Sequence, residues 1–158
     1  MSNTASNIPT SSFGDCLSIE NVSFDAESGS KKRVLEMISD MLGHGNPQFS
    51  SSDIFDSLIA REKLGSTGIG HGVAIPHGRI KGFNTAVGAF VKLASGIDFD
   101  AIDGEPVDLV FVLLVPEEST EEHLQLLSSI AERVSDETFC QNLRGARTED
   151  ELMELLIH

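Results

Sequence analysis

The sequence contains no tryptophan and no tyrosine, so its nine phenylalanines carry most of the aromatic packing. It has only two cysteines, Cys16 and Cys140. Their wide spacing matches no metal or redox motif and predicts no disulfide framework, so we interpret both as small buried side chains in a reducing compartment. The longest strongly apolar run, Val107 to Val115, is far too short to cross a bilayer. These absences predict a cytoplasmic globular protein without membrane insertion.

Basic residues are also scarce. Eleven Lys and Arg stand against 25 Asp and Glu, which gives a formal net charge of −14. Binding to nucleic acid depends on Lys and Arg that neutralise phosphates, so we expect no nucleic-acid partner and no attraction to an anionic membrane. A partner with a basic face suits this charge, but so does an acidic surface that only keeps the protein soluble. Composition leaves both interpretations open.

The length of 158 residues suits one domain with a stable core. Residues 1–14 are rich in Ser, Asn and Thr, and they lack the basic and apolar regions of a signal peptide. We therefore predict a disordered N-terminal tail over residues 1–14 and a single domain over residues 15–158.

Hydrophobic periodicity predicts alternating strands and helices in that domain. Gly43 and Gly65 are expected to end the first two helices, and the run over residues 107–115 indicates a central strand covered on both faces. The order of elements predicts an α/β fold with a mixed central sheet sandwiched by helices. The predicted strands lie within residues 16–24, 73–75, 84–93 and 107–115, and the predicted helices begin at Ser28 or Ser30, Ser52, Ser119, Thr138 and Thr148. The helix after the Ser119/Glu122 capping box is expected to bury Leu124, Leu127, Ile130, Ala131 and Val134.

One local rule is broken at the start of the first helix. Lys31, Lys32 and Arg33 place positive charge where the helix dipole disfavours it. Such a conflict can mark a functional site, in this case one that meets an anion. Three side chains that simply point into water explain the pattern equally well.

The segment from Arg61 to Arg79 concentrates the functional signals. It contains five glycines, which let backbone N–H groups approach an anion closely. A P-loop requires Gly-Lys-Ser/Thr after a strand, and a dinucleotide fingerprint must join a strand to a helix. This loop instead leads from a helix into a strand, so we reject both. The glycines are Gly65, Gly68, Gly70, Gly72 and Gly78.

His77 is the candidate nucleophile in this segment. Pro76 fixes the backbone before the ring, and Gly78 removes bulk beside it. A neutral imidazole has a free lone pair near pH 7 and can accept a phosphoryl group. Such transfer needs positive charge around the phosphoryl oxygens, which Arg61 and Arg79 can provide. A structural histidine remains the alternative from the residues alone.

Other polar side chains of the sequence add weaker signals. His123 falls in the first turn of its predicted helix, where exposed N–H groups favour a phosphate and lower a histidine's pKa; a surface histidine among glutamates is the simpler interpretation. Ser66 and Thr67 hydroxyls are candidate phosphate donors within the loop, and Ser66 is a nucleophile only if a base lies nearby. Three histidines, His71, His77 and His123, also suit a zinc site, although no further ligand has motif spacing. We assign no role to His44 and His158.

Residues 62–78 resemble the phosphorylation signature of the mannitol/fructose-type IIA domains of the phosphoenolpyruvate-dependent phosphotransferase system. The signature is an acidic or amide residue, six residues, Ile69-Gly70, two residues, and then Val73-Ala74-Ile75-Pro76-His77-Gly78. The sequence Arg-Glu-x-Leu-Gly-Ser-Thr-Gly-Ile-Gly is most similar to the nitrogen-regulatory branch, as is Lys31-Lys32-Arg33 after a serine. The resemblance covers about residues 16–158.

The resemblance implies the α/β sandwich fold of the family and a phosphoryl group carried on Nε2 of His77, received from an HPr-like phosphohistidine carrier. It implies active-site roles for Arg61 and His123 and needs no metal or organic cofactor. Together with the residues themselves, it leaves Ser66, Thr67, Gly78 and Arg79 as candidate phosphate-binding residues.

The resemblance leaves the purpose of the transfer open. In the nitrogen-regulatory branch the phosphorylation state is the output and alters binding to targets such as potassium-transport proteins and sensor kinases. A sugar-specific IIA subunit would instead pass the phosphate to a separate IIB protein. A binding module whose histidines are structural or hold a metal is the alternative of another class.

Overall fold

The computed structural model describes residues 12–118 and 121–158. It contains a six-stranded mixed sheet with helices on both faces. The strands are β1 (Val22–Ala26), β2 (Gly68–Gly70), β3 (Val73–Ala74), β4 (His77–Ile80), β5 (Val87–Ile97) and β6 (Val107–Pro116). The helices are α1 (Lys31–Gly45), α2 (Ser51–Leu64), α3 (Glu121–Val134), α4 (Glu137–Gly145) and α5 (Glu149–Ile157).

Strand β6 is the centre of the sheet, whose order is β1-β5-β6-β3-β2. It pairs antiparallel with β5 on one side and parallel with β3 and then β4 on the other. Strands β3 and β4 keep the same register on β6, since Val73 lies opposite Leu109 and His77 opposite Leu113. The break between them falls at Pro76, which has no N–H to donate to the sheet. The predicted mixed α/β sandwich is confirmed.

The side chains of β6 alternate between two apolar layers. Those of Val110, Val112 and Leu114 pack with α1 and α2, and those of Leu109, Phe111, Leu113 and Val115 pack with α3, α4 and α5. All seven are at most 2% exposed. The prediction of a central strand covered on both faces is therefore confirmed. None of the described helices is both long and apolar enough to span a membrane.

The first described residues differ from the prediction. Phe13 is 4% exposed, and its ring centroid lies 5.6 Å from that of Phe111. Ser12 caps the short 3-10 turn Phe13–Cys16 by accepting a hydrogen bond from the Asp15 N–H. The prediction of disorder is therefore wrong for residues 12–14, because one aromatic side chain in a polar segment anchors the turn to the core. Residues 1–11 lie outside the described part of the chain.

Several helices and strands begin or end at residues other than those predicted. The first strand is Val22–Ala26, later than most of the predicted segment, because residues 13–21 form 3-10 turns before it. Helix α1 passes through Gly43 and ends at Gly45, with Asn46 as its C-cap. A Cβ at Gly43 would crowd Ser51 at the start of α2, so this glycine allows close packing instead of ending the helix. Strand β5 begins three residues later and ends four residues later than predicted.

Helix α3 is rotated relative to the predicted stripe. Its buried residues include His123, Leu126, Ile130 and Val134, whereas Leu124 is 63% exposed and Ala131 is exposed. The prediction ranked side chains by hydrophobicity alone, so it missed that a histidine occupies the first buried position. The predicted cap, Ser119, lies outside the described residues.

Candidate functional site

His77 opens strand β4 and has a defined tautomer. Its Nδ1 lies 2.7 Å from the carbonyl oxygen of Ile75. Because a carbonyl only accepts hydrogen bonds, Nδ1 carries the proton and donates it there. Nε2 therefore keeps the ring's lone pair. The stiff Ile75–Pro76 backbone holds the acceptor carbonyl in place, so one ring nitrogen anchors the side chain and the other is the nucleophile.

Arg61, in the last turn of α2, faces that nucleophile. Its Nε–H donates to Nε2 of His77 over 3.2 Å, and its Nη1 donates to the carbonyl oxygen of Gly65 over 2.8 Å. The guanidinium is thus fixed from two directions. A planar group with several donors held in this way suits the recognition of a phosphoryl group.

Gly78 allows α2 to approach β4. A Cβ at this position would collide with the Ser57 side chain of α2. The Ser57 hydroxyl donates to the carbonyl oxygen of Arg79 over 3.0 Å and joins the two elements. Gly78 therefore has a packing role that brings Arg61 to His77. Its predicted place among the phosphate-binding residues stays a prediction.

His123 is the second imidazole of the site. Its ring centroid lies 5.3 Å from that of His77 at an interplanar angle of 66°. It is 7% exposed, and neither of its ring nitrogens has a hydrogen-bond partner among the described residues. Burial, followed by the charges of His77, Arg79 and Arg61, lowers the pKa of His123 to about 4. A buried imidazole without a partner is ready to bind an incoming polar group.

Burial also lowers the pKa of His77. The hydrogen bond to Ile75 opposes this shift, the positive charge of Arg61 adds to it, and the carboxylate of Glu62 acts against it. Both imidazoles are therefore neutral near pH 7, and the Nε2 lone pair is free of a proton there. Arg79 is exposed on β4 and contributes positive charge to the same region.

Ser66 and Thr67 have other partners. The Ser66 hydroxyl donates to the carbonyl oxygen of Phe99 over 2.7 Å, and the Thr67 hydroxyl donates to the carboxylate of Glu62. Both hydroxyls are engaged within the protein, and their predicted role as phosphate-binding residues stays a prediction. They secure the loop that follows α2.

The glycine-rich segment forms a hairpin instead of an anion cradle. Strands β2 and β3 pair through the turn His71-Gly72, where both residues have positive φ, the pattern of a tight two-residue hairpin. A Cβ on Gly72 would collide with the Arg144 guanidinium and lie 2.9 Å from an Asp108 carboxylate oxygen. The glycines therefore admit the chain's own side chains. No three His, Cys, Asp or Glu side chains in residues 12–118 and 121–158 group as metal ligands, so His71 does not form a zinc site with His77 and His123 there.

Two charged residues lie near the site without having been assigned to it from the sequence. Glu62 is buried, and Lys31 forms an ion pair with it at 2.7 Å. The anion that the basic start of α1 meets is thus the protein's own carboxylate. The conflict with the helix dipole at Lys31 was the available signal, and its partner was not identifiable because the two residues are far apart in sequence.

Comparison with known proteins identifies the family of this site. Residues 15–158 match the family described as phosphoenolpyruvate-dependent sugar phosphotransferase system, EIIA 2. A protein named nitrogen regulatory protein from Pseudomonas aeruginosa is 50% identical over 129 residues, which are 82% of this chain and 84% of that protein.

Solved structures agree with this assignment. The crystal structure of nitrogen regulatory protein IIA-Ntr from Neisseria meningitidis matches with a TM-score of 0.86 and 44% identity, over 90% of this chain and 97% of that chain. The IIA mannitol structure from Escherichia coli shares the fold, with a TM-score of 0.71 and 23% identity over 89% and 98% of the two chains. The chain therefore belongs to the EIIA 2 family of the phosphotransferase system, in which it is similar to proteins named nitrogen regulatory protein.

Proposed function

We propose that this protein is a phosphoryl carrier that accepts a phosphoryl group on Nε2 of His77 from an HPr-like phosphohistidine carrier. The proposal rests on the state of the His77 ring. Nδ1 is engaged by the Ile75 carbonyl at 2.7 Å, so Nε2 is the nitrogen with a lone pair, and a guanidinium lies 3.2 Å from it. Attack by Nε2 leaves the anchoring hydrogen bond intact.

The transfer needs no group beyond the two proteins. The Nε2 lone pair bonds to phosphorus while the nitrogen–phosphorus bond of the donor breaks, and those electrons return to the donor's imidazole. The guanidinium of Arg61 then donates to a phosphoryl oxygen in place of the nitrogen, and Arg79 adds charge nearby. Positioning and positive charge around these oxygens are the main requirements of phosphoryl transfer.

His123 completes the acceptor site. It is neutral before transfer because its pKa is about 4. A phosphoryl group beside it favours the protonated ring, because an adjacent negative charge stabilises imidazolium. The unpartnered nitrogen of His123 then becomes a donor to the phosphate. The positive charge of His123 thus arises only when the phosphoryl group is present.

We further propose that the phosphorylation state is the output, as the similarity to nitrogen regulatory proteins supports. A phosphate changes local charge by about −1.5 to −2, which is enough to make or break an interface. Candidate targets are potassium-transport proteins and sensor kinases, and the exchange would take place in the cytoplasm. No metal or organic cofactor is required.

The decisive test of the carrier chemistry is phosphorylation with phosphoenolpyruvate, enzyme I and an HPr-type carrier. Intact mass should show one added phosphoryl group that is labile in acid and stable in base. His77→Ala should show none, whereas His71→Asn, a change at the nearby hairpin turn, should be phosphorylated normally. Phosphate on His77→Ala at another residue, or no uptake by the wild type from any carrier, would contradict the assignment.

The regulatory role needs a separate test. Binding of potassium-transport proteins and sensor kinases should be measured with phosphorylated wild type and with His77→Ala. We expect at least about a tenfold difference in affinity, as for a charge change at an interface. Efficient transfer onward to a cysteine of a sugar-specific IIB protein would instead indicate a transport role.

A further inference from the structure

Lys31 lies at a junction of three segments next to the His77 site. It is the first residue of α1, yet its Nζ is 2.7 Å from a carboxylate oxygen of Glu62 at the end of α2. The same Nζ is 3.4 Å from Asp100 and 5.1 Å from the centre of the Phe99 ring. The side chain of Glu62 is 2% exposed, and that of Lys31 is 19% exposed.

The buried carboxylate explains the position of the lysine. A buried carboxylate without partners is strongly unfavourable. Glu62 accepts hydrogen bonds from the backbone N–H of Thr67 over 3.0 Å and from the Thr67 hydroxyl, and Lys31 supplies the opposite charge. The buried carboxylate therefore accounts for a lysine at a helix start, where the helix dipole disfavours positive charge.

This pair also holds the loop over residues 65–67. Thr67 is bound by Glu62, and Ser66 donates to the carbonyl oxygen of Phe99, whose ring packs against Lys31. The carbonyl oxygen of Gly65 in turn accepts a hydrogen bond from Arg61. Gly65 of this loop thus binds Arg61, whereas Ser66 and Thr67 are held by Phe99 and Glu62. Phe99 and Glu62 both contact Lys31.

We propose that Lys31 and Glu62 are positioning residues of the His77 site. Their ion pair holds the loop that orients Arg61 and balances the negative charge that Glu62 places near His77. The proposed function enters this inference only through the transfer rate, since the geometry and the charge balance concern the unmodified protein. The basic start of α1 thereby has a role at a site to which it is distant in sequence.

The pH at which His77 takes up a proton tests the charge balance. A purely structural role of Lys31 and Glu62 would leave that pH unchanged. The carboxylate of Glu62 raises the pKa of His77, against burial and Arg61, which lower it. Among the described residues, Arg79 on β4 also acts on the imidazoles of His77 and His123, and Asp100 lies 3.4 Å from the Lys31 ammonium. Without Lys31, the carboxylate is unbalanced and the His77 ring should take up its proton at higher pH. Without the charge of Glu62, the lone ammonium should move that midpoint to lower pH.

The experiment is an NMR titration of the His77 ring in the full-length protein, without any phosphoryl donor. Lys31→Met should raise the midpoint, Glu62→Gln should lower it, and the double variant should lie near the wild type. Lys31→Arg should restore the wild-type value. Lys32→Met is the matched control, because it removes an exposed charge from the same helical turn and should leave the midpoint unchanged.

Transfer kinetics give the second readout. Lys31→Met should slow phosphoryl uptake at pH 7 by about tenfold or more through misplacement of Arg61, with Lys31→Arg close to the wild type. Opposite midpoint shifts support the inference even if no donor phosphorylates the wild type, so the two proposals fail separately. If Lys31→Met does not fold, the midpoints of Glu62→Gln and of the double variant are compared instead. The inference then expects a lower midpoint in Glu62→Gln than in the double variant. Equal midpoints in all folded variants would overturn the inference.

Discussion

Single residues determine the chemistry of this site. One carbonyl fixes the tautomer of His77, and one guanidinium covers its lone pair. His77 was identifiable from the sequence because Pro76 and Gly78 flank it. The contacts of Ser66, Thr67 and Gly78 were not identifiable. Two of their partners lie on segments that are distant in sequence, Phe99 for Ser66 and α2 for Gly78.

The shape of the Arg61 side chain gives a prediction at this scale. Arg61→Lys keeps the charge but cannot donate simultaneously to His77 and to the Gly65 carbonyl in the same plane. We expect phosphoryl uptake to slow by about tenfold to a hundredfold in single-turnover assays. Arg79→Lys, at an exposed position, should have a much smaller effect. Wild-type rates for Arg61→Lys would show that a point charge is sufficient.

At the scale of elements, sequence patterns located most helices and the central strand but not the contacts between elements. The capping residues Ser30 and Thr148 act as predicted, since each accepts a hydrogen bond from the N–H three residues later. The short strands β2 and β4 were missed because each has a single strand-favouring residue, Ile69 or Ile80, among glycines and polar residues. Pairing with neighbouring strands, above all with β6, defines them.

The attachment of α5 can be tested at this scale. Arg133 at the end of α3 donates to the carbonyl oxygens of Leu155 and Leu156 over 3.1 Å and 2.8 Å, and its guanidinium carbon lies 4.2 Å from the ring centroid of Phe139. Arg133→Met should lower the free energy of unfolding by about 1–3 kcal/mol. Hydrogen exchange should accelerate first in α5.

Arg147→Met is the matched control, because Arg147 precedes the same helix with an exposed side chain. It should change the free energy of unfolding by less than about 0.5 kcal/mol. If Arg133→Met were equally neutral in chemical denaturation, the three contacts of Arg133 would contribute nothing to the docking of α5.

At the scale of the whole molecule, two apolar layers enclose a sheet, and the His77 and His123 pair forms a polar interruption among the described residues. The sandwich was predictable, because the run over residues 107–115 must be buried on both faces. The rotation of α3 was not, because the sequence does not show that His123, and not Leu124, faces the interior beside the His77 ring.

Burial of His123 predicts how global stability depends on pH. The folded protein keeps this ring neutral down to a pH of about 4, whereas an unfolded histidine takes up a proton near pH 6.5. Between these values the unfolded state binds more protons, so the free energy of unfolding falls as the pH falls. The contribution of His123 should be on the order of 2 kcal/mol between pH 7.5 and pH 5.

Urea denaturation of the wild type and His123→Gln at the two pH values measures this contribution. The variant is expected to lose less stability on acidification, by about the same 2 kcal/mol. The carboxylates are common to both proteins and cancel in the difference. Identical losses in the two proteins would show that His123 titrates normally when folded.

The position of β6 links this chemistry to the cooperativity of folding. The strand of His77 pairs with β6, and the helix whose first turn contains His123 is the next helix after β6 in the chain. Arg61 reaches the same point from the opposite layer. No contiguous stretch of chain holds all three groups together, so a molecule whose central strand has come apart retains its histidines but loses the proposed acceptor site. If the proposed function holds, an unfolded copy of this protein takes up no phosphoryl group, and the phosphorylated population counts only intact molecules.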